Sequence, residues 1–580
     1  MRFHPSLLLA LLPGFAMAAA DHPWQVLSDP TAAAAAAVFP SPPPEYSAQF
    51  TWGWSGPVDA QVIARDLDTM QKLGVQAAII EPGGRMKDPY LSPGFFDLVR
   101  VAVEEAKKRN MRLWIMDEGG YPSGFAGGKF STDRPDLRME ALAAERIPVA
   151  GGQTYTQTVG SDVICALAVN LDTQETKVLD TPNGQLSWTA PTGNYEIVLP
   201  RWVYRSGPTR SANNATGAKD YTHSLMDFLN PAADALFAQW TFDAYQKAIG
   251  DEFGKTVLGF RGDEPAFNFN PWTPALLAEF QQRKGYDLRP YLAAIAYPQL
   301  RRTEAQRRAY ADYWDVWSDL FRDGFYNMEA QWCADHGLEM QLHIEHEEIL
   351  PQLALADGDF FKCFRNIQMP GIDTIWHQIW MDNPADFPKL ASSAAHLFGK
   401  PHAMCEAFAA YQPPPNVVQA RWILNHLMAR GINHIEYMFF PASTPRGAFG
   451  GRGGAAPGAG NGPAPNASAF ANTGSPTTAP SATGATVTSN PSGANTTTAS
   501  AATSAGVGGN LSAGTRPNGA RRGGRGNFYY REPTFPALAA YVNRACYLLG
   551  EGRPAAQIGL YIPSSSFWFG DRDLDASVNT

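Results

Sequence analysis

Eight short apolar runs recur along this chain, at residues 47–54, 75–80, 111–116, 257–260, 338–344, 367–375, 401–407 and 432–440, with helix-period segments in most of the gaps. Parallel strands need a crossover between them, and a helix supplies it. Right-handed crossovers through eight strands leave a closed (β/α)8 barrel of TIM type as the leading topology. The helical stretches carry their apolar residues on one face. Ile63, Leu67, Met70 and Leu73 make one stripe, Phe96, Val99, Val103 and Ala106 a second, and Trp314, Trp317, Phe321, Met328 and Trp332 a longer one. That spacing buries a helix against a core.

What the runs deliver at their C-terminal ends constrains function. The second ends at Glu81, the third at Asp117-Glu118, the fourth at Asp263-Glu264-Pro265, the fifth near Glu345, the seventh at Glu406 and the eighth at Glu436-Tyr437. Barrel active sites are built on those ends. Acids also cap helices, which explains one such residue but not six strand ends out of eight. Glycoside hydrolysis needs one carboxylic acid to protonate the leaving oxygen and a second carboxylate across the sugar. Strands four and seven lie on opposing sides of a barrel mouth, so Glu264 and Glu406 are the catalytic pair expected here. Asp263 beside Glu264 raises its proton affinity by like charge, which suits the acid role. Glu406, between Cys405 and Ala407, is expected to be the second carboxylate, with Glu345 its rival.

Sugar rings present apolar C–H faces, and aromatic side chains stack on them. Trp52, Trp54, Tyr121, Trp376 and Tyr437 sit near strand ends and are expected to do so. Asp117, Glu118, His343, His346 and His377 are the expected polar contacts to substrate. His343-x-Glu345-His346 also has the residue types of a zinc site, but on a strand the two histidines point to opposite faces. A hard cation wants oxygen ligands, and Asp263, Glu345 and Asp373 offer them.

Outside the barrel pattern the chain changes character. From about 147 to 205 the apolar period drops to two, with Asn183-Gly184 as a hairpin signal. A small β-rich insertion after strand three is expected there. Residues 443–527 are almost wholly Gly, Ala, Ser, Thr, Pro and Asn. Such a segment has no apolar surface to bury, so a disordered spacer after strand eight is expected. Residues 528–554 read as the last barrel helix, and 555–580 as a strand opening a further, truncated domain.

Residues 1–20 combine Arg2, an apolar stretch and Ala16-Met17-Ala18, the pattern of a secretory signal peptide. Residues 21–45 read as a linker, and the barrel as 46–442. Export to the periplasm or beyond follows, and no membrane span, because no other apolar run is long enough. A net charge of −9 gives no basic footprint for nucleic acid. The five cysteines lack metal-site spacing and read as buried small hydrophobes.

Trp52-x-Trp54, the segment Met116-Asp117-Glu118-Gly119-Gly120-Tyr121-Pro122-Ser123-Gly124-x-Ala126-Gly127-Gly128, Asp263-Glu264-Pro265 and Cys405-Glu406-Ala407-Phe408 together resemble the exported bacterial glycosidases of glycoside hydrolase family 106, the α-L-rhamnosidase type. The resemblance implies a catalytic barrel with β-rich accessory domains, an inverting mechanism, a bound calcium and a carbohydrate substrate ending in rhamnose. A retaining barrel glycosidase of β-galactosidase style and a non-catalytic carbohydrate-binding barrel are the alternatives.

Overall fold

In the computed structural model the described residues are 22–83, 86–205, 224–265, 267, 269–411, 413–442, 529–556 and 559–570. All eight apolar runs are strands. They are β1 (Gln49–Trp54), β2 (Ala77–Pro82), β3 (Arg112–Met116), β4 (Val257–Asp263), β5 (Glu339–His343), β6 (Met369–Thr374), β7 (Met404–Ala407) and β8 (His434–Pro441). They close into one barrel in which β1 pairs with β2 and with β8, and every neighbouring pair is parallel.

Strand parity sorts the side chains into two layers. Outward residues such as Phe50, Ile80, Ile115, Phe260, Leu342, Ile372, Cys405 and Ile435 join the helices in the main core. The helices meet them with the stripes read from sequence: Ile63, Leu67 and Met70 on Ala60–Lys72, and Val99, Val103 and Ala106 on Pro93–Lys108, are buried. Inward residues form a separate floor of Ile79, Trp114, Met116, Leu258, Met369 and Met404, with Trp24 of the N-terminal segment packed against it. His402 ties that segment in through a 2.8 Å contact between Nε2 and the Trp24 carbonyl.

The β-rich insertion is present but begins earlier than its alternation suggests. Glu140–Ala150, Asn194–Tyr204, Ala166–Asn170 and Thr176–Leu179 form an antiparallel sheet, edged by Pro271–Trp272. Thr154–Thr158 and Gln185–Thr189 pair as a separate hairpin. The last barrel helix is Phe535–Gly550.

Two expectations are corrected. Ala32–Val38, inside the stretch read as linker, is a helix. Alanine is the best helix former, and Thr31 caps the run by accepting a hydrogen bond from the Ala34 N–H. The strand expected from 555 is absent among the described residues, which carry a short helix, Ser564–Phe569, instead. Leu560 and Tyr561 stand exposed beside no neighbouring strand, and a strand without a partner makes no ladder. Residues 1–20 and 443–527, read as leader and spacer, lie outside the described residues. No helix among the described residues is long and apolar enough to cross a membrane.

Candidate active site

The register of the barrel brings acids from different strands to one level. Asp373 pairs with Glu406, Glu406 with Glu436, and Asp263 with His343. All five point inward, and at their centre is Arg261, fully buried two residues before Asp263 on the same face of β4. Its guanidinium spans three strands. It pairs with Asp263 at 2.7 Å, with Glu436 at 3.1 Å, and with Glu406. Thr51 of β1 donates to the other oxygen of Glu436.

His343 fills the space above. Its Nε2 lies 3.1 Å from Asp263 and 3.3 Å from Glu406, and its Nδ1 faces Glu347 at 3.6 Å and Glu264 at 4.0 Å. Burial and the Arg261 charge push the imidazole toward the neutral form. The carboxylates of Asp263, Glu347 and Glu406 outweigh both, and the net shift is well above the ordinary histidine range. Burial opposes ionisation of Asp263, but Arg261 and His343 hold it well below the usual carboxylate range.

Glu264 is the opposite case. Burial dominates, Asp263, Glu345 and Glu347 add repulsion, and its carboxyl is raised well above its ordinary value despite His343. Its backbone sits at φ 45°, in the left-handed region that costs a non-glycine residue strain. Pro265 follows, so the chain leaves the sheet at this residue. Asp373 is likewise pushed up, first by burial and then by Glu347.

Glu406 is held through one oxygen. Both the Arg261 Nη2 and the His343 Nε2 approach Oε2, and no hydrogen bond among the described residues reaches Oε1. Its side chain is 9% exposed, which leaves that oxygen at the floor of the mouth. The site therefore contains one carboxyl, Glu264, raised well above its ordinary value, one, Glu406, held through a single oxygen by Arg261 and His343, and His343 between the two.

The remaining residues named from sequence divide by parity and burial. Tyr121 donates its hydroxyl to Glu345 at 2.9 Å and lies against Glu264. His346, at φ 65°, is partly exposed with Nε2 3.7 Å from Glu345. Trp376 stands 69% exposed at the end of β6, and His377 packs at a tilt against Tyr411 with Nε2 3.2 Å from the Pro413 carbonyl. These surround the mouth.

Trp52, Trp54 and Tyr437 do not. They have outward parity and are fully buried. Trp52 donates its indole N–H to Asp66 on the neighbouring helix, Trp54 packs on Phe95, and Tyr437 packs on Phe50 and Phe535. Asp117 and Glu118 are also fully buried. Asp117 accepts from the Ser123 hydroxyl at 2.9 Å, and Glu118 accepts from the N–H groups of Gly119, Ala126 and Gly127. Burial raises these carboxyls to about 7 and about 8 respectively. They hold the loop 117–128 and offer nothing to a substrate.

Among the described residues the group able to hold a metal is Asp263, Glu264 and His343, with ligand atoms within 4.8 Å of one another. Glu345 and Asp373, the other two oxygens expected for a hard cation, are not in it. The group does not fit calcium, which takes six to eight oxygen ligands. One donor here is an imidazole, and Asp263 is already bonded to a guanidinium.

Sequence reasoning missed Arg261, the residue on which the site is centred. The signal was available, since a charge inside an otherwise apolar strand core needs a partner. Glu347 and Thr51 left no such mark.

Residues 168–441 match the family model described as alpha-L-rhamnosidase. A curated protein of Formosa agariphila, provisionally named a beta-glucuronidase, is 23% identical over 428 residues, covering 64% of this chain and 34% of its own length. The solved rhamnosidase of Novosphingobium sp. PP1Y shares the fold with a TM-score of 0.52 at 15% identity, over 72% of this chain and 57% of that one. The chain thus spans about a third of the one relative and somewhat over half of the other.

Proposed function

We propose, from the match of residues 168–441 to the family model described as alpha-L-rhamnosidase, that this chain is a glycoside hydrolase that releases a terminal α-L-rhamnose from a glycoside or polysaccharide with inversion. Glu264 is the general acid. Its carboxyl, raised well above its ordinary value by desolvation and by Asp263, Glu345 and Glu347, suits the donation of a proton to the leaving oxygen. Glu406 is the general base, drawing a proton from the attacking water with the oxygen that Arg261 and His343 leave open. Positive charge builds on the sugar ring in an oxocarbenium-like transition state, which carboxyl groups at the strand ends stabilise. Trp376 offers an exposed ring at the rim for stacking.

The observation that carries this reading is the opposed treatment of Glu264 and Glu406 on the two sides of His343. Two equivalent carboxyls would leave the roles unassigned. No step passes through a metal. The apolar leader at 1–20 supports a site of action outside the cytoplasm.

The test is proton NMR of the first-formed sugar from 4-nitrophenyl α-L-rhamnopyranoside. The β anomer is expected, and the α anomer transfers the chain to the retaining alternative. An aryl β-glucuronide belongs beside it, because the Formosa relative is named for that sugar. The acid-rich mouth repels a uronate, so no turnover of it is expected.

A further inference from the structure

The guanidinium of Arg261 donates in three directions. Nη1 binds Asp263 at 2.7 Å and the Gly262 carbonyl at 3.0 Å, both on its own strand. Nε and Nη2 point the same way and form a fork that ordinarily takes both oxygens of one carboxylate. Here the fork is split. Nε binds Oε2 of Glu436 at 3.1 Å, and Nη2 binds Oε2 of Glu406. The two carboxyls are register partners on β8 and β7, so they stand side by side before one guanidinium. Glu436 is fully buried, and its Oε1 accepts from the Thr51 hydroxyl of β1. One of its oxygens is thus held from β1 and the other from β4, which fixes the carboxyl against Nε.

An unsplit fork would defeat the base. A guanidinium whose Nε is released turns onto the remaining carboxylate and takes both oxygens, because two parallel N–H···O bonds hold better than one. On Glu406 that would occupy Oε1, the oxygen left open to the mouth.

We propose that Glu436, clamped by Thr51, is a positioning residue that holds Arg261 off the second oxygen of Glu406 and so keeps that oxygen available to the attacking water. This deepens the proposed function and rests on Glu406 being the base. Fully buried, Glu436 acts through Arg261. It gives a task to the strand-eight acid, which a two-carboxylate mechanism leaves unused.

The experiment uses the full chain and 4-nitrophenyl α-L-rhamnopyranoside, with Glu436→Gln, Thr51→Val and Thr51→Ser. Glutamine keeps the shape of Glu436 and is a weaker acceptor for Nε. Valine keeps the shape of Thr51 and cannot donate. The proposal predicts that kcat falls by about 10- to 100-fold in Glu436→Gln, at or below the range of a positioned acid–base group. It predicts that KM stays within about 3-fold, because the base works in the transition state and not in substrate binding. The loss should be equal on an alkyl α-L-rhamnoside, since protonation of the leaving group is untouched. Thr51→Val should show a smaller loss of the same form, and Thr51→Ser, which keeps the hydroxyl, should recover most of it. The decisive readout is a crystal structure of Glu436→Gln, in which Nε and Nη2 of Arg261 should take both oxygens of Glu406. The same contact is read in Thr51→Val, so the test does not hang on the folding of one variant. Arg261 remaining on Oε2 alone, a kcat within about 3-fold of wild type, or a rise in KM that accounts for the loss would each overturn the proposal. Failure of the base assignment is read separately. Glu406→Gln would then keep near-normal turnover, whatever Glu436→Gln does.

Discussion

His343 Nε2 lies 3.3 Å from the Oε2 of Glu406, the same oxygen that Arg261 binds. One carboxylate oxygen thus takes both cations of the site, and the other is left to the mouth. The imidazole is raised well above the ordinary histidine range because Asp263, Glu347 and Glu406 outweigh burial and Arg261.

A raised folded-state pKa gives His343 a defined pH signature. The stability it contributes is fully present below its unfolded value of about 6.5 and is lost as pH rises through the higher folded value. The difference in Tm between wild type and His343→Gln should be largest in mild acid and shrink on the alkaline side. A difference that grows with pH would mean the imidazole is held neutral.

Arg261→Met should destabilise strongly, by about 3–5 kcal/mol, because it leaves Asp263, Glu406 and Glu436 buried without their counter-charge. Arg261→Lys should recover only part of this, since one ammonium cannot span three carboxylates as a planar fork does. Urea unfolding of the three proteins measures it. Equal stability of all three would remove Arg261 from the centre of the account.

Gly259 and Gly371 make the floor of the barrel possible. A Cβ at Gly259 would strike the Glu339 carbonyl and the Trp114 ring, and one at Gly371 would strike Met404 and the Leu342 carbonyl. Backbone cannot move aside as a flexible side-chain end can. Gly259→Ala should cost about 1–3 kcal/mol through overpacking, visible as a lower urea midpoint with an unchanged m-value.

The two classes of tryptophan should part cleanly. Trp52→Ala should cost about 3–5 kcal/mol of stability while leaving KM near wild type at low temperature. Trp376→Ala should leave Tm unchanged and raise KM, because its ring is 69% exposed and supports nothing beneath it. The reverse pattern would move the sugar platform elsewhere.

The same contrast shows what the sequence could and could not disclose. The barrel was legible because apolar runs and helix stripes repeat with fixed periods, and those periods are local. The strand-end acids were legible for the same reason. The facing of Trp52, Trp54 and Tyr437 was not, although parity contained it: Thr51 and Glu436 point inward and hydrogen-bond, so their neighbours must point out. Asp117 and Glu118 were misread because a strand-end carboxylate can fold back onto its own loop, and only the paths of Gly119 to Gly127 and Ser123 show that it does. Arg261 was hidden because its three partners lie on β4, β7 and β8, far apart in the chain.

Activity should fall on the alkaline side as Glu264 loses its proton. Its carboxyl is raised by burial and by Asp263, Glu345 and Glu347, so the limb lies well above the ordinary glutamate range. In Glu264→Gln that limb should vanish from the kcat/KM profile.

The most direct measurement is the leaving-group dependence of kcat/KM in Glu264→Gln. Glutamine keeps the shape and cannot donate a proton. The account predicts a loss of roughly 10² to 10⁴ on an alkyl α-L-rhamnoside, and a much smaller loss on the 4-nitrophenyl glycoside, whose leaving group needs little protonation. Equal losses on both substrates would contradict Glu264 as the general acid.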